Sequence, residues 1–199
     1  RIIKTLLDYD ADVNQIDYNG WTALHHSAFK GDFEAWVELI QNGANVNAYS
    51  TLMKAPLHLA AFYNHPEVIQ LLIESGANLQ GLSNDEFLQY STNKNSICSE
   101  NVAPLLLAAK RGNIECFELL LKLGAFFYTT DIRNWNCLHY ATYHSHINMM
   151  RLILRFDYEQ SALRNMSNTQ GHVPQHLCGN LKAQLLYEED WYPEDVEYE

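Results

Sequence analysis

Gly20-Trp21-Thr22-Ala23-Leu24-His25-His26-Ser27-Ala28 decides the fold, because the chain keeps returning to it. It comes back as Ala55-Pro56-Leu57-His58-Leu59-Ala60-Ala61, as Ala103-Pro104-Leu105-Leu106-Leu107-Ala108-Ala109, and as Asn136-Cys137-Leu138-His139-Tyr140-Ala141-Thr142. A decayed copy reads Val173-Pro174-Gln175-His176-Leu177-Cys178. The steps are 33 residues from 22 to 55, 48 from 55 to 103, 33 from 103 to 136 and 37 from 136 to 173. A second series keeps the same phase: Gly43-Ala44-Asn45-Val46-Asn47, Gly76-Ala77-Asn78-Leu79-Gln80 and Gly124-Ala125-Phe126, with Asp10-Ala11-Asp12-Val13-Asn14 a further 33 residues upstream of Gly43. Two markers in fixed phase mean a repeat protein.

The residue types explain the unit. The Thr22 hydroxyl can cap the first turn of a short helix, and proline at the next position (Pro56, Pro104, Pro174) suits a turn that needs no N–H. Leu24 and Ala28, like Leu57 and Ala61, lie four apart on one face, and the alanines let a paired helix approach closely. Gly31 and Gly112 end the short helix with a backbone that glycine adopts cheaply. A second helix is expected over Phe33 to Gln41, Pro66 to Glu74, Ile114 to Lys122 and Ile147 to Arg155. It carries more apolar positions than one helix pair can bury, so neighbouring units must stack.

The unit resembles the ankyrin repeat, whose period and T-P-L-H-x-A signature match Thr22, Leu24, His25 and Ala28 together with Asp17, Gly20, Gly31, Leu39, Gly43, Ala44, Val46 and Asn47. The resemblance implies an all-α solenoid of helix-turn-helix units with β-hairpin-like loops over 1–186. A partial repeat occupies 1–16 and looks like the end of a unit that begins before Arg1. Full repeats follow at about 17–49, 50–81, 101–130 and 131–157, and a degraded capping repeat at 168–186. Residues 82–101 add 15 to the period; polar and rich in Ser, Asn and Thr, they are expected to form an exposed, mobile loop. Met53 stands where the turn glycine belongs, so that turn is expected to be looser, and Leu106 replaces the motif histidine at the cost of one hydrogen bond. Asp157 takes the place of Gly43 and Gly76, which makes a left-handed turn there less assured. Residues 187–199, with seven carboxylates and no base, read as an acidic disordered tail.

Composition removes several classes. With 13 basic against 24 acidic residues and a net charge of −11, the chain has no basic stripe for nucleic acid. No apolar run approaches the ~20 residues of a membrane span. Cys98, Cys116, Cys137 and Cys178 show no C-x-x-C spacing and read as reduced thiols of a cytosolic or nuclear protein. Nucleotide-binding and hydrolase motifs do not occur, so no catalytic residue and no cofactor is expected. His25, His58, His139 and His176 hold the motif position, where the resemblance implies bonds to loop backbone. His139, His144 and His146 lose helical spacing where the short helix ends. His172, His176 and Cys178 are the better-spaced metal trio but lack a fourth ligand, so no metal site is expected. Asn165-Met166-Ser167 is a formal glycosylation sequon, read as chance in a cytosolic chain.

The informative residues are those the scaffold does not need. In the ankyrin family, partners are gripped by loop tips and by the exposed ends of the first helices. By phase these are Phe29 and Lys30, Phe62 and Tyr63, Lys110 and Arg111, Tyr143 and His144 on the helices. On the loops they are Tyr18, Asn19, Thr51, Leu52, Ile132 and Arg133. Aromatics and arginine are frequent binding anchors, although the rings could instead pack against the next repeat. The expected function is a monomeric, non-catalytic scaffold or adaptor that binds a protein partner in a concave groove. The alternative is the regulatory arm of a larger enzyme or ion channel.

Overall fold

The computed structural model describes residues 2–82, 101–157, 160–179 and Tyr187. Among them there are helices and no strands. An isolated outer helix, α1 (Ile2–Asp8), opens the stack. Helix pairs follow: α2 (Ala23–Lys30) with α3 (Phe33–Gln41), α4 (Pro56–Tyr63) with α5 (Pro66–Glu74), α6 (Pro104–Arg111) with α7 (Ile114–Lys122), and α8 (Cys137–Tyr143) with α9 (Ile147–Phe156). A short α10 (Ala162–Asn165) and a 3-10 turn at Pro174–Leu177 come last. The first helices form an inner row in which α2, α4, α6 and α8 pack in succession, and α8 then meets the 3-10 turn.

The motif builds each inner helix. Thr22 caps α2 by accepting the His25 amide on its hydroxyl, while the His25 ring nitrogen Nδ1 receives the Thr22 N–H at 3.1 Å. Nε2 of the same ring donates across to the Lys54 carbonyl of the next loop at 2.9 Å. His139 repeats this arrangement, accepting from the Asn136 amide and donating to the His172 carbonyl at 3.1 Å. Leu24, Leu57, Leu105 and Leu138 are all buried to 1% exposure or less. Each such leucine contributes about 2 kcal/mol relative to an exposed side chain. Leu106, where the motif histidine is missing, is also wholly buried.

A second ladder zips the loops together. The Asn14 side chain donates to the Gly43 carbonyl and accepts the Asn45 amide, and Asn47 does the same to Gly76 and Asn78. Gln80, one methylene longer, holds Gly124 at 3.1 Å and Phe126 at 3.0 Å. Those partners lie across the insertion, and α4 packs on α6 as α2 packs on α4. The stack therefore runs on past the added residues. The interior of that insertion, 83–100, lies outside the described residues, and with it the expectation of an exposed loop.

A third contact was not apparent in the sequence. The residue before each outer helix reaches back to the end of the preceding inner helix. His65 Nε2 donates to the Phe29 carbonyl at 3.0 Å, Asn113 donates to those of Ala61 and Phe62 at 2.9 Å, and His146 Nε2 donates to that of Lys110 at 3.0 Å. These bonds satisfy helix-end carbonyls left without an intrahelical partner. They also explain which left-handed residues must be glycine. A Cβ on Gly31 would lie 2.6 Å from the His65 ring, and one on Gly112 would lie 2.9 Å from His146, whereas Asn64 holds the same backbone (φ 62°) where the following repeat supplies Asn113 instead of a histidine. Gly112→Ala is therefore expected to cost about 2 kcal/mol, because about 1 kcal/mol of left-handed strain adds to a displaced His146. Urea denaturation checks this. A loss equal in the wild-type and His146→Asn backgrounds would show that the ring contact is not involved.

The structure corrects three expectations. The Met53 turn is not looser: Met53 takes the left-handed conformation itself (φ 54°), and its amide donates to the Ser50 carbonyl at 2.9 Å, as Gly20 does to Asp17. Its nearly buried side chain offsets the strain, which is about 1 kcal/mol. His176 does not take the motif role, since a 3-10 turn replaces the α-helix and leaves its ring exposed and edge-on to His172. The extra residues before Val173 hold an unforeseen helix, α10, whose Leu163 is wholly buried. Asp157 caps α10 by accepting the Ala162 and Leu163 amides, which is a reason for a carboxylate in the glycine's place. Its φ is −88°, so Asp157 itself is not left-handed. The second half of the capping repeat and the acidic tail lie outside the described residues, apart from Tyr187, whose phenol pairs with the Thr142 hydroxyl at 2.6 Å.

Candidate functional site

The ends of the inner helices and the loops beside them bring most of the predicted partner-binding residues together. Phe29 stands against Trp21 at 5.7 Å and edge-on to Tyr63 at 4.4 Å. Tyr63 meets Phe62 at 5.0 Å, and the Arg111 guanidinium lies over the Phe62 ring at 4.8 Å. A second group forms in the fourth repeat, where Trp135 contacts Tyr140 at 5.2 Å and Tyr143 at 5.4 Å while Tyr143 meets His144 at 5.1 Å. Two consecutive basic residues join the groups. Arg111 reaches back to Phe62, and Lys110 Nζ reaches forward over the Tyr140 ring at 5.4 Å.

The rings differ in exposure. Phe29 and Phe62 are half-buried in contacts between repeats, whereas Tyr63 (40% exposed) and Tyr143 (58%) present their faces to solvent. Lys30, Arg111 and His144 are exposed, and Lys110 is half-buried. Arg133 is ion-paired to the buried Asp131 at 3.2 Å and lies over Trp135. Tyr18, 92% exposed at a loop tip, stands apart from the ring row. Asn19 and Thr51 stitch neighbouring tips together, Asn19 giving its carbonyl to the Thr51 amide and hydroxyl.

Across the first three full repeats the row opens into an apolar cleft of about 290 Å³, lined by Trp21, Leu52, Leu59, Phe62, Tyr63 and Leu107, with Lys54 and Lys110 among its other walls. Trp21, Leu59, Leu107 and Lys54 were not anticipated there. A signal existed for the first of them: Trp21 and Trp135 hold the same repeat phase directly after the turn.

Among the described residues no three His, Cys, Asp or Glu side chains gather as metal ligands. Burial pushes the Cys116 thiol up to about 12 and raises those of Cys137 and Cys178, which disfavours thiolates. No described helix is long and apolar enough to cross a membrane.

The profile of ankyrin repeats in three copies matches residues 1–83 and again 82–165. The chain belongs to the ankyrin-repeat family. Among curated relatives it is 35% identical over 123 residues to Rabankyrin-5 of Homo sapiens, covering 61% of this chain and 10% of that protein. It is 31% identical over 121 residues to tyrosine-protein kinase HTK16 of Hydra vulgaris, covering 61% and 14%. It is also 29% identical over 138 residues to the transient receptor potential cation channel subfamily A member 1 of Homo sapiens, covering 69% and 11%. The chain thus spans a small part of the length of these relatives. In ankyrin-repeat terms, the ring row and cleft lie on the inner-helix face.

Proposed function

We propose that this ankyrin-repeat chain is a non-catalytic scaffold or adaptor that binds a protein partner along its inner-helix face. The observation that carries the reading is the apolar cleft flanked by solvent-facing Tyr63 and Leu52, 40% and 56% exposed. Convergent, partly exposed aromatics over an apolar depression are the composition of a binding hot spot. Two buried, unpaired thiols, Cys116 and Cys137, support a reducing compartment, the cytosol or nucleus.

Affinity capture with the chain as bait, beside a Tyr63→Ala, Tyr143→Ala, Leu52→Ala variant, tests this. A partner retained by the first and lost by the second, with the melting temperature within a few degrees, is the expected result, each anchor being worth about 1 kcal/mol or more. Undiminished capture by the variant would place binding elsewhere. The regulatory arm of a larger enzyme or channel is a second reading, favoured by the kinase and channel among the relatives.

A further inference from the structure

The third repeat breaks the amide ladder with aromatic rings. Where the earlier loops read Asn45 and Asn47, then Asn78 and Gln80, this one has Phe126 and Tyr128. A phenol lacks the amide's separate donor and acceptor, so Tyr128 cannot bridge to the next loop as Asn47 and Gln80 do. The rings are not withdrawn into the core either. Phe126, Tyr128 and Phe156 are exposed, and the half-buried Phe127 links two of them, 5.1 Å from Tyr128 and 5.9 Å from Phe156. An exposed run of rings that the scaffold does not use marks a contact surface.

Phe126 and Tyr128 also wall a second cleft, of about 480 Å³, which shares no lining residue with the first. Asn101 and Ala103 face it while Val102 between them faces the other, so the segment leading into α6 divides the two. None of its described lining residues is charged, in a chain of net charge −11. Its amide side chains are spent. Asn78 donates to the Gly81 carbonyl and accepts the Gln80 amide, Gln80 holds Gly124 and Phe126, and Asn101 donates to the Leu82 carbonyl. Tyr128, Thr129 and Thr130 remain, whose hydroxyls make no hydrogen bond among the described residues.

We infer that this second cleft takes a proline-rich segment of another protein in the polyproline II conformation, its pyrrolidine rings on Phe126 and Tyr128 and its carbonyls on the Tyr128, Thr129 and Thr130 hydroxyls. The absence of charge selects a neutral ligand, since neither an acidic nor a basic segment gains a partner by entering. An ordinary extended strand would carry N–H groups past amide acceptors that are already taken, and leaving them unpaired is costly. Proline brings carbonyls without an N–H, and the hydroxyl protons turn to meet them. The rings supply the flat apolar faces on which such segments dock, and the helix is already formed before binding. The site is independent of the inner-helix face and lies on the loop side of the stack.

The test is two-dimensional NMR of the isotope-labelled full chain, titrated with decaproline and with a peptide of equal length alternating alanine and glutamine. Decaproline is expected to shift the amides of Gly81, Leu82 and Phe126 to Thr130, and to bind at least about tenfold tighter than the control. Tyr128→Asn, which restores the residue type of Asn47, should abolish those shifts. If it melts early, Phe126→Asn at the exposed neighbour serves instead. Tyr63→Ala, on the other cleft, should leave them unchanged. Equal binding of both peptides would overturn the proline preference, as would shifts that survive both loop variants or vanish with Tyr63→Ala. No shift by either peptide at millimolar concentration would overturn the site. Shifts of the same amides by a neutral oligosaccharide such as maltohexaose, and not by decaproline, would assign the rings to carbohydrate instead. Decaproline shifts seen only after residues 84–99 are exchanged for glycine and serine would assign the cleft to this chain's own insertion and overturn a separate partner.

Discussion

Lowering the pH from 7 to 4.5 is expected to remove several kcal/mol from the stability of the stack. The cause is the motif histidines. Burial, followed by the nearby Lys54 and His25, pushes His58 down to about 3, and burial lowers His25 and His139 as well. Hydrogen bonding points the same way. Nδ1 of each ring receives a backbone N–H, from Thr22, Ala55 and Asn136 in turn, so a second ring proton would set donor against donor. A group whose folded value lies below its unfolded one contributes its full stability above the unfolded value of about 6.5 and loses it as the pH falls toward the folded value. At pH 4.5, two units into that window, His58 alone accounts for about 2–3 kcal/mol. Asp157, raised by burial, works in the opposite sense because its protonated form is favoured in the folded chain. Urea denaturation of the wild type and His58→Gln at both pH values checks the claim. The variant should be weaker at pH 7 yet lose about 2 kcal/mol less on acidification. An unchanged pH dependence would show that His58 is not the titrating group.

Phe117→Ala is expected to cost about 3–5 kcal/mol, because the ring is wholly buried on α7 and its loss leaves a cavity. The position matters as much as the amount. In a solenoid each unit is stabilised by its neighbours, so a weakened third repeat uncouples the repeats on either side. Unfolding should therefore divide into two steps, the third and fourth repeats opening before the first two. Hydrogen exchange resolves this: amides of α6 to α9 should exchange at lower urea than those of α2 to α4, where the wild type shows one transition. Exchange that stays uniform along the chain would mean that the interface between α4 and α6 carries the coupling without Phe117.

Much of the molecule is local and was therefore legible. Apolar spacing and end signals placed the inner and outer helices, with α9 one residue longer than expected, at Phe156. The motif histidines could be assigned to loop backbone at His25 and His139, while His176 failed because its turn lacks the α-helical frame. Partner-binding positions were placed by phase alone. Phase puts a residue at a helix end without saying how much of its ring meets solvent, as the exposed Tyr143 and the half-buried Phe29 show. Met53 shows another limit: a turn read as defective for want of glycine is held in shape by the burial of the side chain that occupies it.

By itself the sequence determined the repeat, its period, the helix ends and the residues shared by every unit, because those depend on contacts within about one 33-residue period. Only the tertiary structure decided how the units meet. Gln80 carries the asparagine ladder over the inserted residues, His65 and His146 make glycine obligatory at Gly31 and Gly112, and Arg111 and Lys110 join two aromatic groups from different repeats. These contacts pair residues 30 to 49 positions apart, so their geometry exists only once the repeats are superposed.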